Sequence, residues 1–123
     1  MICIRMTKRE DGVELSAHGH AGYAPRGQDV VCAGVSALLY SFVAYLEGLS
    51  PIATAEPPDG GAPHLEVEEG DGLLTVRTFG MGGKDLDGAA VIQAGLGLIA
   101  SCYPTFVTLD TRIHRKGDEH ESN

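Results

Sequence analysis

Apolar and polar residues alternate twice near the start of the chain. Ile2, Ile4 and Met6 are separated by Cys3 and Arg5, and Val13, Leu15 and Ala17 by Glu14 and Ser16. A period of two is that of a strand with one face against a core. Glu10, Asp11 and Gly12 between the runs are turn residues, so the pair reads as a hairpin. If the second strand keeps its register, His18 and His20 project with Glu14 and Ser16 away from the apolar stripe, with His20 at the strand's mouth. From Val30 the period changes. Val31, Val35, Leu38, Leu39, Phe42 and Leu46 recur at helical spacing, Asp29 precedes them as a candidate N-cap, and Gly48 follows as a stop. Cys32 is thereby predicted in the first turn of an apolar helix.

Residues 51–63 are rich in Pro, Gly and Ala and read as connection, with one short strand expected around 52–55. Residues 64–69 and 73–79, joined by Gly70, Asp71 and Gly72, predict a second hairpin. A second helix is expected from Asp85 or Asp87 to Tyr103, with Ile92, Leu96, Ile99 and Tyr103 as its stripe and Pro104 as its end. Gly88, Gly95 and Gly97 each weaken that helix by about 1 kcal/mol relative to alanine. Close packing against the first helix is expected to offset the cost. Residues 106–112 alternate again as a last strand. Together these elements predict an α/β (α+β) fold: a single domain over residues 1–116, with a mixed or antiparallel sheet and two helices packed on it. An acidic tail, 117–123, has nothing apolar to bury.

At 123 residues the chain suits one domain with a modest core. Its 17 acidic residues against 9 basic ones give a formal charge of −8, which argues against direct nucleic-acid binding and suits a basic partner. Three cysteines without a pairing pattern fit a reducing compartment. No uninterrupted apolar run approaches the roughly 18 residues of a membrane span, and the first residues lack a signal-peptide pattern. A soluble cytoplasmic protein, with no membrane partner, is expected.

The candidate chemistry lies between the first hairpin and the first helix. A cysteine thiolate is a strong nucleophile, and a helix start favours negative charge through its unpaired N–H groups. His20 stands twelve positions before Cys32, across a loop, Ala21 to Gln28, that can fold back. An imidazole beside the sulfur would make a thiolate–imidazolium pair and later protonate a leaving amine. Helix-start amides are expected to hold the oxyanion. Cys3 and Cys102 lack this setting. Two readings of other classes compete: a metal site built from His18 and His20 with Asp29 or Cys32, and a non-catalytic ribosome-docking module. The metal reading lacks a tight second ligand pair, so no metal or other cofactor is expected.

His18-Gly19-His20-Ala21-Gly22-Tyr23-Ala24, then Gly27, then Asp29 through Leu38 with Cys32 and Ser36, resembles the signature of the ribosomal-processing cysteine protease family, Prp. The resemblance extends over most of the chain except residues 51–63 and the tail. It implies Cys32 as nucleophile and His20 as its acid–base partner, with Gly19, Asp29 and Ser36 supporting the site. It implies a substrate loop made of Gly22, Tyr23, Ala24, Pro25, Arg26, Gly27 and Gln28, mobile until substrate arrives. It also implies a homodimer of α/β fold. The substrate it implies is the extended form of large-subunit ribosomal protein twenty-seven, whose N-terminal extension is removed during ribosome assembly. Another thiol-dependent amidase or acyl transferase would use the same pair.

Overall fold

The structure is a computed structural model that describes residues 1–49 and 64–114. The strand expected at 52–55 and the acidic tail lie outside the described residues. The elements run β1 (Ile2–Lys8), β2 (Val13–His18), α1 (Val30–Leu49), β3 (His64–Gly70), β4 (Leu73–Phe79), α2 (Lys84–Cys102) and β5 (Val107–Ile113). Both hairpins form, β1 with β2 and β3 with β4, each antiparallel. The five strands make one sheet in the order β3-β4-β2-β1-β5. Because β5 pairs parallel to β1, the sheet is mixed rather than wholly antiparallel. A parallel neighbour requires a crossover, and α2 supplies it.

The period-two pattern sorts the sheet into two faces. Ile4, Met6, Val13, Leu15, Ala17, Leu74 and Val76 are buried toward the helices. The alternate residues Arg5, Thr7, Glu14 and Ser16 face the open side, where Arg77 pairs with Glu14 at 2.8 Å and Arg5 with Asp110 at 3.4 Å. Such surface pairs contribute little, about 0–1 kcal/mol each; burial on the other face dominates.

Helix α1 buries Val31, Val35, Leu39, Phe42, Val43 and Leu46, while Leu38 is half-buried and turns to α2. A Cβ on Gly95 would lie 2.9 Å from Leu38 Cδ1, and one on Gly88 would lie 2.5 Å from Tyr45 Cε2. These two glycines therefore let the helices approach, as expected. Gly97 does not share that role, since a Cβ there would meet only Leu109 of β5, at 4.0 Å. In α2 the buried residues are Asp85, Ala89, Ile92 and Leu96. The burial of Asp85, 1 % exposed, was not expected from the sequence. Its Oδ2 accepts a 2.5 Å hydrogen bond from the hydroxyl of Thr78, which is itself fully buried and accepts the Val13 N–H at 2.9 Å.

Both helices are apolar enough to pass a composition test for a membrane span, with mean hydropathies of 1.7 for Val30–Leu49 and 1.2 for Lys84–Cys102. Core helices pass the same test. In each, one stripe packs inside the fold while apolar residues such as Val30, Tyr45, Val91 and Leu98 remain exposed on the other side.

Candidate active site

Asp29 fixes the start of α1. Its Oδ1 accepts the Cys32 N–H at 2.9 Å, the N-cap arrangement, and its backbone oxygen accepts the Ala33 N–H at 3.0 Å. The other carboxylate oxygen, Oδ2, accepts the N–H groups of Tyr23 and Ala24 at 3.0 and 3.4 Å. One side chain thus ties the loop before the helix to the helix itself. The Cys32 N–H, followed by the Ala24, Tyr23 and Val31 amides, holds the Asp29 carboxyl below its ordinary pKa.

Of the helix-start amides, that of Cys32 is thus engaged by the Asp29 side chain and that of Ala33 by the Asp29 carbonyl, so these two are not free to hold an oxyanion.

Cys32 is half-buried and borders a cavity of about 150 Å³ lined also by Ile2, Ala17, His18, Gly19, His20, Val35, Ser36, Leu39 and Tyr40, and by Gly70, Gly72, Leu73 and Leu74. Cys32 and His20 therefore border one cavity, as does Ser36.

His20 does not reach it by strand alternation. β2 ends at His18, and Gly19 has φ +99°, a left-handed conformation that turns the chain. Glu14 and Ser16 line a separate concavity on the open face of the sheet, which His20 does not border, while His18 borders both. The expectation that all four share a face is thus corrected, and the turn at Gly19 is the cause. Glycine is required there for space too, because a Cβ would fall 2.2 Å from the Met1 carbonyl oxygen. The Met1 nitrogen in turn donates to the His20 carbonyl at 2.5 Å.

The imidazole rests on the β3–β4 turn. A Cβ on Gly72 would lie 2.8 Å from His20 Nε2 and 3.3 Å from Cε1, so the ring lies close over that glycine. The Gly19 N–H donates to the Gly72 oxygen at 2.9 Å. Asp71 Oδ1 stands 3.7 Å from His20 Nε2 and 4.0 Å from Arg26 Nη2. The hydroxyl of Tyr40, which also borders the cavity, donates to Glu69 Oε2 at 2.8 Å, which raises the Tyr40 pKa above that of an ordinary phenol.

The loop from Gly22 to Gln28 runs beside the cavity and does not line it. Tyr23 packs edge-on against Tyr103 and Phe106, at centroid distances of 5.6 and 5.3 Å, and the Gln28 N–H donates to the Pro25 oxygen at 2.9 Å. Arg26 alone reaches toward the site, through Asp71. Among the described residues no group of three or more His, Cys, Asp or Glu is placed to hold a metal ion, so His18, His20, Asp29 and Cys32 do not form the ligand set considered from sequence.

A small cavity bordered by both a helix-start cysteine and a histidine offers the residue types that cysteine peptidases use. The chain belongs to the cysteine protease Prp family, whose model matches residues 1–107. It is 34 % identical over 97 residues to the ribosomal processing cysteine protease Prp of Mycoplasma pneumoniae, covering 79 % of this chain and 85 % of that one. To the Staphylococcus aureus enzyme of the same name it is 38 % identical over 80 residues, 63 % of this chain and 67 % of that one. In fold it is similar to the crystal structure of the S. aureus ribosomal processing protease Prp with a covalently linked product peptide. That match has a TM-score of 0.70 at 23 % identity, over 90 % of this chain and 99 % of that one. A Streptococcus mutans crystal structure matches with a TM-score of 0.64 at 25 % identity, over 93 % and 96 % of the two chains.

Proposed function

We propose that the protein is a cysteine endopeptidase in which Cys32 is the nucleophile and His20 the general base and acid. Its substrate in this reading is the N-terminal extension of large-subunit ribosomal protein twenty-seven. The observation that carries the assignment is the single cavity bordered by both side chains. Names of relatives support the peptide substrate: one S. aureus Prp structure holds a substrate peptide and another a covalently linked product peptide.

His20 takes the thiol proton as the sulfur attacks the scissile carbonyl carbon, and the C=O electron pair moves onto oxygen. Collapse of that adduct breaks the C–N bond, and the imidazolium gives its proton to the departing amine. Water, deprotonated by His20, then attacks the thioester and releases the peptide acid and Cys32. With the Cys32 N–H bound to Asp29, the mechanism relies on His20 as the charge partner of the sulfur. Ser36, on the same cavity, supplies an O–H for the oxyanion. Asp29 acts by holding the Cys32 backbone and the Tyr23–Ala24 segment to one point.

The proposed setting is the cytoplasm, and the proposed assembly a homodimer. The assembly is supported by the exposed apolar faces of the helices, where Val91 and Leu98 are 71 % and 69 % exposed.

The test is a peptide spanning the extension's junction. Wild type should cut it at one bond and Cys32→Ala should leave it intact; cleavage undiminished in Cys32→Ala would remove the sulfur from the mechanism.

A further inference from the structure

Resting on the peptidase reading, we propose that the β3–β4 turn is the third part of the site, with Asp71 the positioning residue for His20 and Gly72 the seat of its ring. Three independent contacts join this turn to the His20 segment. The Gly19 N–H is bonded to the Gly72 oxygen at 2.9 Å, which fixes the backbone immediately before His20. The ring lies over Gly72 so closely that a methyl group there would sit 2.8 Å from Nε2. Asp71 Oδ1 stands 3.7 Å from the same nitrogen.

Each contact does something different. The hydrogen bond sets the height of the chain, the glycine leaves room for the ring, and the carboxylate selects which ring edge faces out. With Nε2 turned toward Asp71, rotation of the imidazole about its bond to Cβ is biased, and the orientations available toward Cys32 are fewer. An acid–base group held in one orientation loses less freedom on reaching the transition state. Asp71 also attracts the imidazolium that forms when the sulfur gives up its proton. That role matches the third group in Ser-His-Asp sites, where the carboxylate orients the ring and does not itself accept the proton.

Arg26 shares the same oxygen at 4.0 Å, and it comes from the loop between His20 and Cys32. The charged and titratable groups facing Asp71 are thus His20 and Arg26, with Glu69 near the foot of the same turn. An Arg26 contact draws part of the Asp71 charge away from His20.

Asp71 is 77 % exposed, so Asp71→Asn should fold and melt as wild type does. Exposed charge pairs are modest, so kcat should fall about two- to fivefold with KM unchanged, and Asp71→Glu should restore most of the loss. Gly72→Ala, which displaces the ring itself, should lower kcat by about tenfold or more. A readout independent of proteolysis is the rate at which iodoacetamide alkylates Cys32, which should slow by the same factors in each variant. An Asp71→Asn enzyme with kcat and alkylation rate both equal to wild type would overturn the proposal. So would one whose loss appears in KM alone. If wild type cuts no peptide, the peptidase reading has failed, and the alkylation rates still decide whether Asp71 and Gly72 position His20.

Discussion

Thr78→Val replaces a buried hydroxyl by a methyl of nearly the same size. Thr78 is fully buried, gives its proton to Asp85 at 2.5 Å and accepts from the Val13 N–H at 2.9 Å. The substitution therefore strands two polar groups, the Asp85 carboxyl and a strand amide, at positions 1 % and 0 % exposed. Each buried group left without a partner costs about 1–3 kcal/mol, so the expected loss for two is about 2–6 kcal/mol. For a chain of this size that lowers Tm by roughly 8–24 °C. Thr78→Ser is the control: it keeps the hydroxyl and removes one methyl, at a cost of about 1 kcal/mol. Thermal and urea unfolding of the three proteins measure the difference. This polar node lies at the far end of β2 from His20, so Cys32-dependent cleavage in the cold should survive in both variants. A Thr78→Val protein no less stable than Thr78→Ser would refute the reasoning. It would show that the pairing of Thr78 with Asp85 and Val13 adds nothing beyond packing.

Two further outcomes test the site's surroundings. Because hydrogen bonds depress the Asp29 pKa in the folded protein, the unfolded chain binds the proton first as pH falls. Asp29 therefore stabilises the fold above its ordinary pKa, and that contribution disappears as pH drops below about 4. Asp29→Asn should flatten the acid side of the stability curve in urea titrations between neutral pH and pH 3; equal slopes in variant and wild type would contradict the cap. Tyr40 has its pKa raised by Glu69, so its phenol should ionise at higher pH than an ordinary phenol does in a spectrophotometric titration. Glu69→Gln should bring it back, and a titration unmoved by that change would mean the 2.8 Å contact does not persist in solution.

Local pattern carried most of the secondary structure. The alternation in Ile2 to Met6 and Val13 to Ala17, and the helical spacing from Val31 to Leu46, each report one buried face, and a face is a property of a short segment. The order of strands is different. Nothing in residues 73–79 says that Leu73 will stand beside His18, yet that pairing brings Asp71 and Gly72 under His20. The same limit hid the polar node: Gly12 read as an ordinary turn residue, but a Cβ there would fall 1.9 Å from the Thr78 oxygen, a contact made across the sheet. Cys32 and His20 were legible because only twelve positions separate them and a helix start is visible in sequence. The direction His20 takes was not, since one left-handed glycine cancels the strand's alternation. Of the signals missed, Gly70-Asp71-Gly72 was the most accessible, an acidic residue between two glycines at the tip of a hairpin.

Pairing of His18 with Leu73 ties the site to the arrival of the second hairpin. A nascent chain that had folded only its first hairpin and α1 would own a sulfur and an imidazole but no floor beneath the ring. Competence to cut would then arrive late, after roughly two-thirds of the sequence has been made, and a half-built molecule emerging beside other new proteins would be harmless to them.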